Sequence, residues 1–216
     1  MEYISKYAKY IYEKQDEDLI KGLDEYLNKY AKDIYSFFNI SERKQAEINI
    51  IPTKKEYDEW IKENWNLDEV PAWNIGNAYN NVIRYVSLHD YKNTSHAFKP
   101  EDYIKALEDY NKTIVHEYVH FVTILYQIKN NISKPLRYLT EGIAQILSHQ
   151  RDNTNNDFHY SLEDILESKD CYYGYYLMVK YILENYDKEY FFKLLNDKDF
   201  ALEETPKIYK QIKKDN

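Results

Sequence analysis

The sequence predicts a helix-rich α+β fold, in which a small sheet of three or four strands precedes a long helix and a helical C-terminal half. Gly and Pro number only 4 and 5 among 216 residues, which favours regular elements over loops. Apolar residues recur at spacings of three and four along most of the chain, as amphipathic helices require. Between residues 46 and 88 the pattern changes to short β-branched and aromatic runs, which are typical of strands.

Two helices are expected before the sheet. Residues 2–14 carry an apolar stripe at helical spacing, formed by Ile4, Tyr7, Ala8 and Ile11. Residues 16–39 carry a longer stripe and predict a longer helix. We expect this helical segment, residues 1–45, to pack on a domain formed by residues 46–216, so that the chain makes one compact unit. A propeptide-like or substrate-shielding appendage is the alternative.

The predicted sheet lies in the next forty residues. Residues 46–51 form the first expected strand, which Pro52 ends, and Thr53 then caps a helix that runs to Asn64. Residues 70–79 and 82–88 form the second and third strands. Asn80 and Asn81 between them are the residue type that a tight hairpin turn favours.

The C-terminal half is predicted to be helical. Pro100 and the two acids after it open a helix that continues to about residue 129. A second amphipathic helix carries apolar residues at 139, 143, 146 and 147. Further helices are expected over residues 161–168 and 171–183, and two more over residues 187–213.

The long helix contains the pattern H-E-x-x-H at His116, Glu117 and His120. Residues four apart on a helix leave from the same face, so both imidazoles can bind one zinc ion, with the intervening carboxylate beside it. A chance match on a solvated helix face is the alternative. However, the flanking residues are apolar (Ile114, Val115, Tyr118, Val119 and Phe121), and buried His and Glu side chains need partners. A metal ion would satisfy all three side chains.

Glu141 is the candidate for a third protein ligand, which a zinc site that keeps one position open for water requires. It lies near the start of the second amphipathic helix, and residues 130–135 between the helices provide a loop. If this helix returns antiparallel to the first, Glu141 can face the two His residues. The alternative is a Glu in the first helical turn, where the helix dipole favours a negative charge.

The sequence H-E-Y-V-H followed by L-T-E-G-I-A resembles the gluzincin metallopeptidases, and in particular the small single-domain peptidases of the MA-like type, the minigluzincins. The resemblance covers roughly residues 46–196 and implies a zincin-like catalytic domain within residues 46–216. It implies that His116, His120 and Glu141 bind Zn²⁺ and that Glu117 is the catalytic base.

The resemblance extends more weakly to three other segments. Gly76, Asn77 and Ala78 are similar to the edge-strand segment with which gluzincins hold peptide substrate, although an ordinary hairpin with a bulge is an equal alternative. Tyr172, with Tyr173 as its neighbour, matches the family's donor to the oxyanion. Gln145 is a departure, because larger gluzincins often have an acid there as a partner for a ligand His.

Composition and charge exclude other classes of function. The net charge is −8 and no basic run occurs before the last residues, where Lys213 and Lys214 are expected at a helix end, so nucleic-acid binding is not expected. No apolar run is long enough to cross a membrane, and the single Cys171 rules out an intrachain disulfide. The first residues lack the apolar core of a signal peptide, so we expect a cytoplasmic protein, unless a leader was removed from a secreted chain. We also expect a monomer.

Three functions remain open. The first is an active zinc peptidase that hydrolyses peptide or protein substrates. The second is an intracellular regulatory peptidase that cuts one specific partner. The third is a catalytically weak, metal-stabilised module that binds peptides on its edge strand. The remaining histidines, His89, His96, His149 and His159, are expected on the surface.

Overall fold

A computed structural model describes residues 1–152, 158–167 and 171–215. The chain divides into two compact units, residues 1–122 and 123–216. The first contains all the strands of the described chain and the second is helical, which confirms the predicted helix-rich α+β class. One long helix, α3 (Tyr103–Asn130), contains residues of both units.

The first unit is built on a five-stranded sheet in the order β1-β2-β3-β5-β4. The strands are β1 (Glu2–Ile4), β2 (Ala8–Ile11), β3 (Ala46–Ile51), β4 (Gly76–Tyr79) and β5 (Val82–Val86). The three inner strands β2, β3 and β5 are parallel to one another, whereas β1 and β4 pair antiparallel at the two edges. Helix α1 (Glu17–Phe37) connects β2 to β3, and α2 (Lys54–Trp65) follows β3.

The helix predicted for residues 2–14 is wrong, because this segment forms β1 and β2. Along β2, Ala8 and Tyr10 are buried while Lys9 and Ile11 are half-buried, which is the alternation of a strand. Ile4, expected on the buried face of a helix, is exposed. The decisive interaction is long-range, since β2 pairs with β3 from Ala8 opposite Ala46 onward, and local periodicity carries no information about such pairing.

The other expectations for the first unit are largely confirmed. Helix α1 and strand β3 match their predicted ranges closely, and Thr53 caps α2 by accepting a hydrogen bond from the N–H of Glu56. Asn80 and Asn81 both have positive φ, as a two-residue hairpin turn requires. The second predicted strand is shorter than expected, because residues 70–75 precede β4 and include a turn in which Asn74 N–H donates to Pro71 O.

Among its described residues, the second unit contains the end of α3 and five further helices. These are α4 (Arg137–Leu147), α5 (Leu162–Glu167), α6 (Tyr172–Asn185), α7 (Lys188–Asn196) and α8 (Lys198–Asp215). They confirm the predicted helices to within two or three residues at the ends; residue 168 of the expected 161–168 helix lies outside the described residues.

Helices α4 and α6 approach each other closely in the second unit. A Cβ at Gly142 would overlap the carbonyl oxygen of Tyr175 and the side chain of Val179, so only glycine allows this approach. Gly142 directly follows Glu141, and the tight packing therefore fixes the start of α4 against α6.

Candidate metal centre

The two histidines of the H-E-x-x-H pattern face each other on α3. Their Nε2 atoms are 3.0 Å apart and their ring planes are inclined at 79°. Two nitrogens bound to one zinc ion at about 2.0–2.1 Å in tetrahedral geometry would be about 3.3 Å apart. The observed separation is within a few tenths of an ångström of that value, so the imidazole pair fits a shared metal ion.

Glu141 joins this pair. One ligand atom from each of His116, His120 and Glu141 lies within 4.8 Å of the other two. His116 is buried, whereas His120 and Glu141 are half-buried. Two imidazole nitrogens and one carboxylate oxygen are a ligand set that can hold a divalent metal ion and leave a further position open. The sequence therefore identified the residues that form the cluster.

Glu117 lies beside this cluster and beside strand β4. Glu117 is buried, and its Cγ is 3.5 Å from the place that a Cβ of Gly76 would take. Burial and, to a smaller extent, the negative charge of Glu117 raise the pKa of Tyr57 and of Tyr85. The Glu117 side chain, which leaves α3 directly after His116, is therefore close to the edge strand at Gly76.

In strand β4, the N–H and C=O groups of every second residue point away from the neighbouring strand. The N–H of Val86 donates to the carbonyl of Ile75 at 2.8 Å, and Gly76 lies opposite Tyr85. Because hydrogen-bonded and non-hydrogen-bonded pairs alternate in an antiparallel ladder, the N–H and C=O of Gly76 and Ala78 point away from β5. These groups face the outer edge of the sheet, where an added strand would pair.

The side chain of Asn77 lies in the interior of the first unit. It is buried, and its Nδ2 donates to the hydroxyl of Tyr57 at 3.0 Å. The Tyr57 hydroxyl in turn donates to Asn74 Oδ1 at 2.8 Å. Asn77 thus fixes the strand from inside, while the backbones of its two neighbours form the edge.

The two tyrosines proposed for the oxyanion lie in different surroundings at the start of α6. The hydroxyl of Tyr172 accepts a hydrogen bond of 2.8 Å from Arg137, which also lies 3.7 Å from Glu141 Oε1. Tyr173 instead packs its ring against Tyr160 and Tyr176. The contacts therefore favour Tyr172 as the residue associated with the cluster.

The Gln145 side chain bonds to Tyr172 and Arg151, and not to a histidine as the acid of larger gluzincins would. Its side chain is buried, its Nε2 donates to the carbonyl of Tyr172 at 2.7 Å, and its Oε1 accepts from Arg151 Nε at 3.1 Å. The amide supplies one donor and one acceptor to these two partners, a combination that an ionised carboxylate cannot supply. Gln145 therefore anchors the first residue of α6 to α4.

A cavity of about 300 Å³ lies within the first unit, at the N-terminal end of β4. Ile75, Tyr91, Phe98 and Ala106 supply apolar walls, and Asp102, Lys105, Asp109 and Thr113 supply polar groups. Thr113, one of the lining residues, is one helical turn before Glu117 on α3. The sequence did not reveal this cavity, because its walls combine Ile75 with residues 91–98 and 102–113, which local patterns do not bring together.

The other histidines lie apart from the cluster. His89, His96 and His159 are exposed, as predicted. His149 is partly exposed and its Nδ1 is 2.6 Å from Asp152 Oδ2. Cys171 is a buried free thiol at the start of α6.

Comparisons with protein-family models, with curated proteins and with solved structures each found no match for the chain. The resemblance to gluzincins therefore stays a prediction, and the finding from the geometry is a cluster of three side chains that could hold a metal ion. Within the part of the chain that the structure describes, no helix combines the length and apolar character needed to cross a bilayer.

Proposed function

We propose that this protein is a zinc-dependent peptidase of the gluzincin type. The observation that carries the proposal is the convergence of His116, His120 and Glu141, with Glu117 directly after His116 on the same helix. Nitrogen and carboxylate ligands in this number suit a catalytic zinc ion, which would retain one position for water or substrate.

The chain's own residues have separate roles in this proposal. Zinc, when bound, lowers the pKa of a coordinated water towards about 7 and polarises a carbonyl group. Glu117 accepts a proton of the attacking water as the new C–O bond forms, and it then delivers that proton to the amine as the C–N bond of the peptide breaks. Tyr172 donates a hydrogen bond to the carbonyl oxygen as negative charge develops there.

Strand β4 and the adjacent cavity support a peptide as the substrate. A peptide that pairs with the outer edge of β4 would bond to the backbone groups of Gly76 and Ala78. Gly76 is close to Glu117, so the paired backbone would pass beside the proposed base. Ile75 precedes Gly76 and lines the cavity, which offers a place for one substrate side chain.

The proposal is tested by cleavage of a peptide library with the zinc-loaded wild type and with Glu117→Gln. We expect the Gln variant to retain zinc but to lose turnover by about 10²–10⁴-fold, because Gln cannot accept the proton. Glu108→Gln is a matched control, since Glu108 lies on the same helix but is exposed and pairs with Lys112. Normal cleavage by Glu117→Gln would contradict the assignment of the base.

A peptide-binding module with weak or no catalysis is the second candidate. Gln145 supports it, because this position, where larger gluzincins often have an acid, holds a neutral amide that bonds to Tyr172 and Arg151. Zinc-dependent binding of peptides without cleavage would favour this candidate. Cleavage of a single protein with no activity on the library would instead favour a regulatory peptidase.

A further inference from the structure

Arg137 connects two residues of the proposed site. It is the first residue of α4, one helical turn before Glu141. One of its guanidinium nitrogens lies near both the Tyr172 hydroxyl and the Glu141 carboxylate. This Nη2 atom donates to the Tyr172 hydroxyl at 2.8 Å and lies 3.7 Å from Glu141 Oε1. The hydroxyl and the carboxylate oxygen are therefore no further apart than the sum of these two distances.

The chemistry of this contact determines where the phenolic proton can go. Arginine has five N–H donors and no acceptor. Because Arg137 donates to the oxygen of Tyr172, the hydroxyl hydrogen must point to a group other than Arg137. A charged donor on the oxygen also polarises the O–H bond, which makes the hydroxyl a stronger donor.

Tyr172 is held at its backbone as well. Gln145 Nε2 bonds to its carbonyl at 2.7 Å, and Gly142 allows α4 and α6 to approach closely. Helix α4 thus fixes both ends of Tyr172, with Gln145 at the main chain and Arg137 at the hydroxyl. Preorganisation of this kind is what a donor to a developing oxyanion requires.

We propose that Arg137 is a positioning residue that orients the Tyr172 hydroxyl as a hydrogen-bond donor and holds the Glu141 carboxylate for the metal ion. The inference rests on the proposed peptidase function for the Tyr172 part, and on the metal-binding cluster alone for the Glu141 part. A carboxylate ligand whose outer partner is removed binds its metal less tightly, typically by about 10–100-fold.

A purely structural role for Arg137 would appear as a loss of folding stability, and not as a specific loss of metal binding or catalysis. The side chains of Arg137 and Glu141 are 42% and 15% exposed, and a partly solvated ion pair of this kind contributes little to the free energy of unfolding. Arg137→Ala should therefore remain folded, so that its effects on metal binding and catalysis can be measured.

The first measurement is the zinc affinity, obtained by competition with a chromophoric chelator. We expect Arg137→Ala to bind Zn²⁺ about tenfold more weakly than the wild type, while Tyr172→Phe binds it normally. Arg43→Ala is the matched control, because Arg43 is also exposed and also lies over a tyrosine ring, that of Tyr7, in another part of the chain. An unchanged zinc affinity in Arg137→Ala would overturn the role of Arg137 at Glu141.

The second measurement is kcat at saturating zinc for Arg137→Ala, Tyr172→Phe and the double variant. We expect each single variant to lower kcat by about tenfold or more with little change in KM. The double variant should be no worse than Tyr172→Phe, because Arg137 acts through that hydroxyl. Additive losses in the double variant would overturn the role at Tyr172, and Arg137→Lys should restore part of kcat.

The two measurements separate failure of this inference from failure of the proposed function. A wild type that binds zinc but cleaves no peptide contradicts the peptidase and, with it, the Tyr172 role, while the zinc affinities still decide the Glu141 role. A wild type that cleaves peptides, with an Arg137→Ala variant unchanged in both zinc affinity and kcat, contradicts the inference alone.

Discussion

At the scale of single residues, Gly76 is fixed by the ring that lies against it. A Cβ at this position would lie 2.6 Å from Cε2 of Tyr85, whose ring is fully buried and whose hydroxyl bonds to Tyr91. A rigid, buried ring cannot move aside cheaply, so Gly76→Ala should lower the free energy of unfolding by about 1–3 kcal/mol. Urea denaturation measures this loss.

Gly22 provides the matched control for that substitution. It is exposed on α1, and a Cβ there would have no other atom within 4 Å. Gly22→Ala should therefore raise the free energy of unfolding by about 0.5–1 kcal/mol, because alanine favours the helix. A Gly76→Ala variant as stable as the wild type would contradict the close packing of β4 against Tyr85.

The sequence specified the residues of the candidate site better than their partners. His116, His120 and Glu141 were predicted because spacing on a helix places side chains on one face and because buried polar groups need partners. Arg137 was not predicted, although its position four residues before Glu141 is the spacing of a helical ion pair. The role of Gln145 depends on Tyr172, 27 residues later, and local pattern does not reveal such contacts.

At the scale of elements, strand β4 is expected to bind peptide through its backbone. The N–H of Ala78 points away from β5, so proline at this position removes a donor that the sheet does not use. Ala78→Pro should leave the circular dichroism spectrum and zinc content unchanged, and should lower kcat/KM for peptides at least tenfold through KM.

Ala78→Ser is the control for this variant, because serine retains the N–H group and should cleave peptides nearly as well as the wild type. Cleavage by Ala78→Pro with an unchanged KM would show that substrate does not pair with this strand.

Some of these elements were predicted from the sequence and others were not. Helices α1, α2, α3 and α4 were predicted because each has a long apolar stripe, and α2 also has a recognisable cap. Strands β1 and β2 were predicted as a helix, because residues 2–14 are short and fit both periods. Pairing with β3, which is nearly forty residues away, determined the outcome.

At the scale of the whole molecule, the fold class followed from the sequence because helical periodicity dominates the chain. The sheet was underestimated, with five strands in place of three or four, since both additional strands lie in the segment predicted as a helix. The proposed function rests on side chains that converge on one point, and its most direct test is therefore the presence of a metal ion.

That test is the zinc content of protein purified without chelator, measured by inductively coupled plasma mass spectrometry. We expect one zinc ion per wild-type chain, retained in His96→Ala, whose side chain is exposed. We expect loss of zinc in His120→Ala and in Glu141→Ala, because each removes one ligand. A wild type that binds no divalent metal, or a His120→Ala variant that retains a full zinc ion, would contradict the proposed metal site.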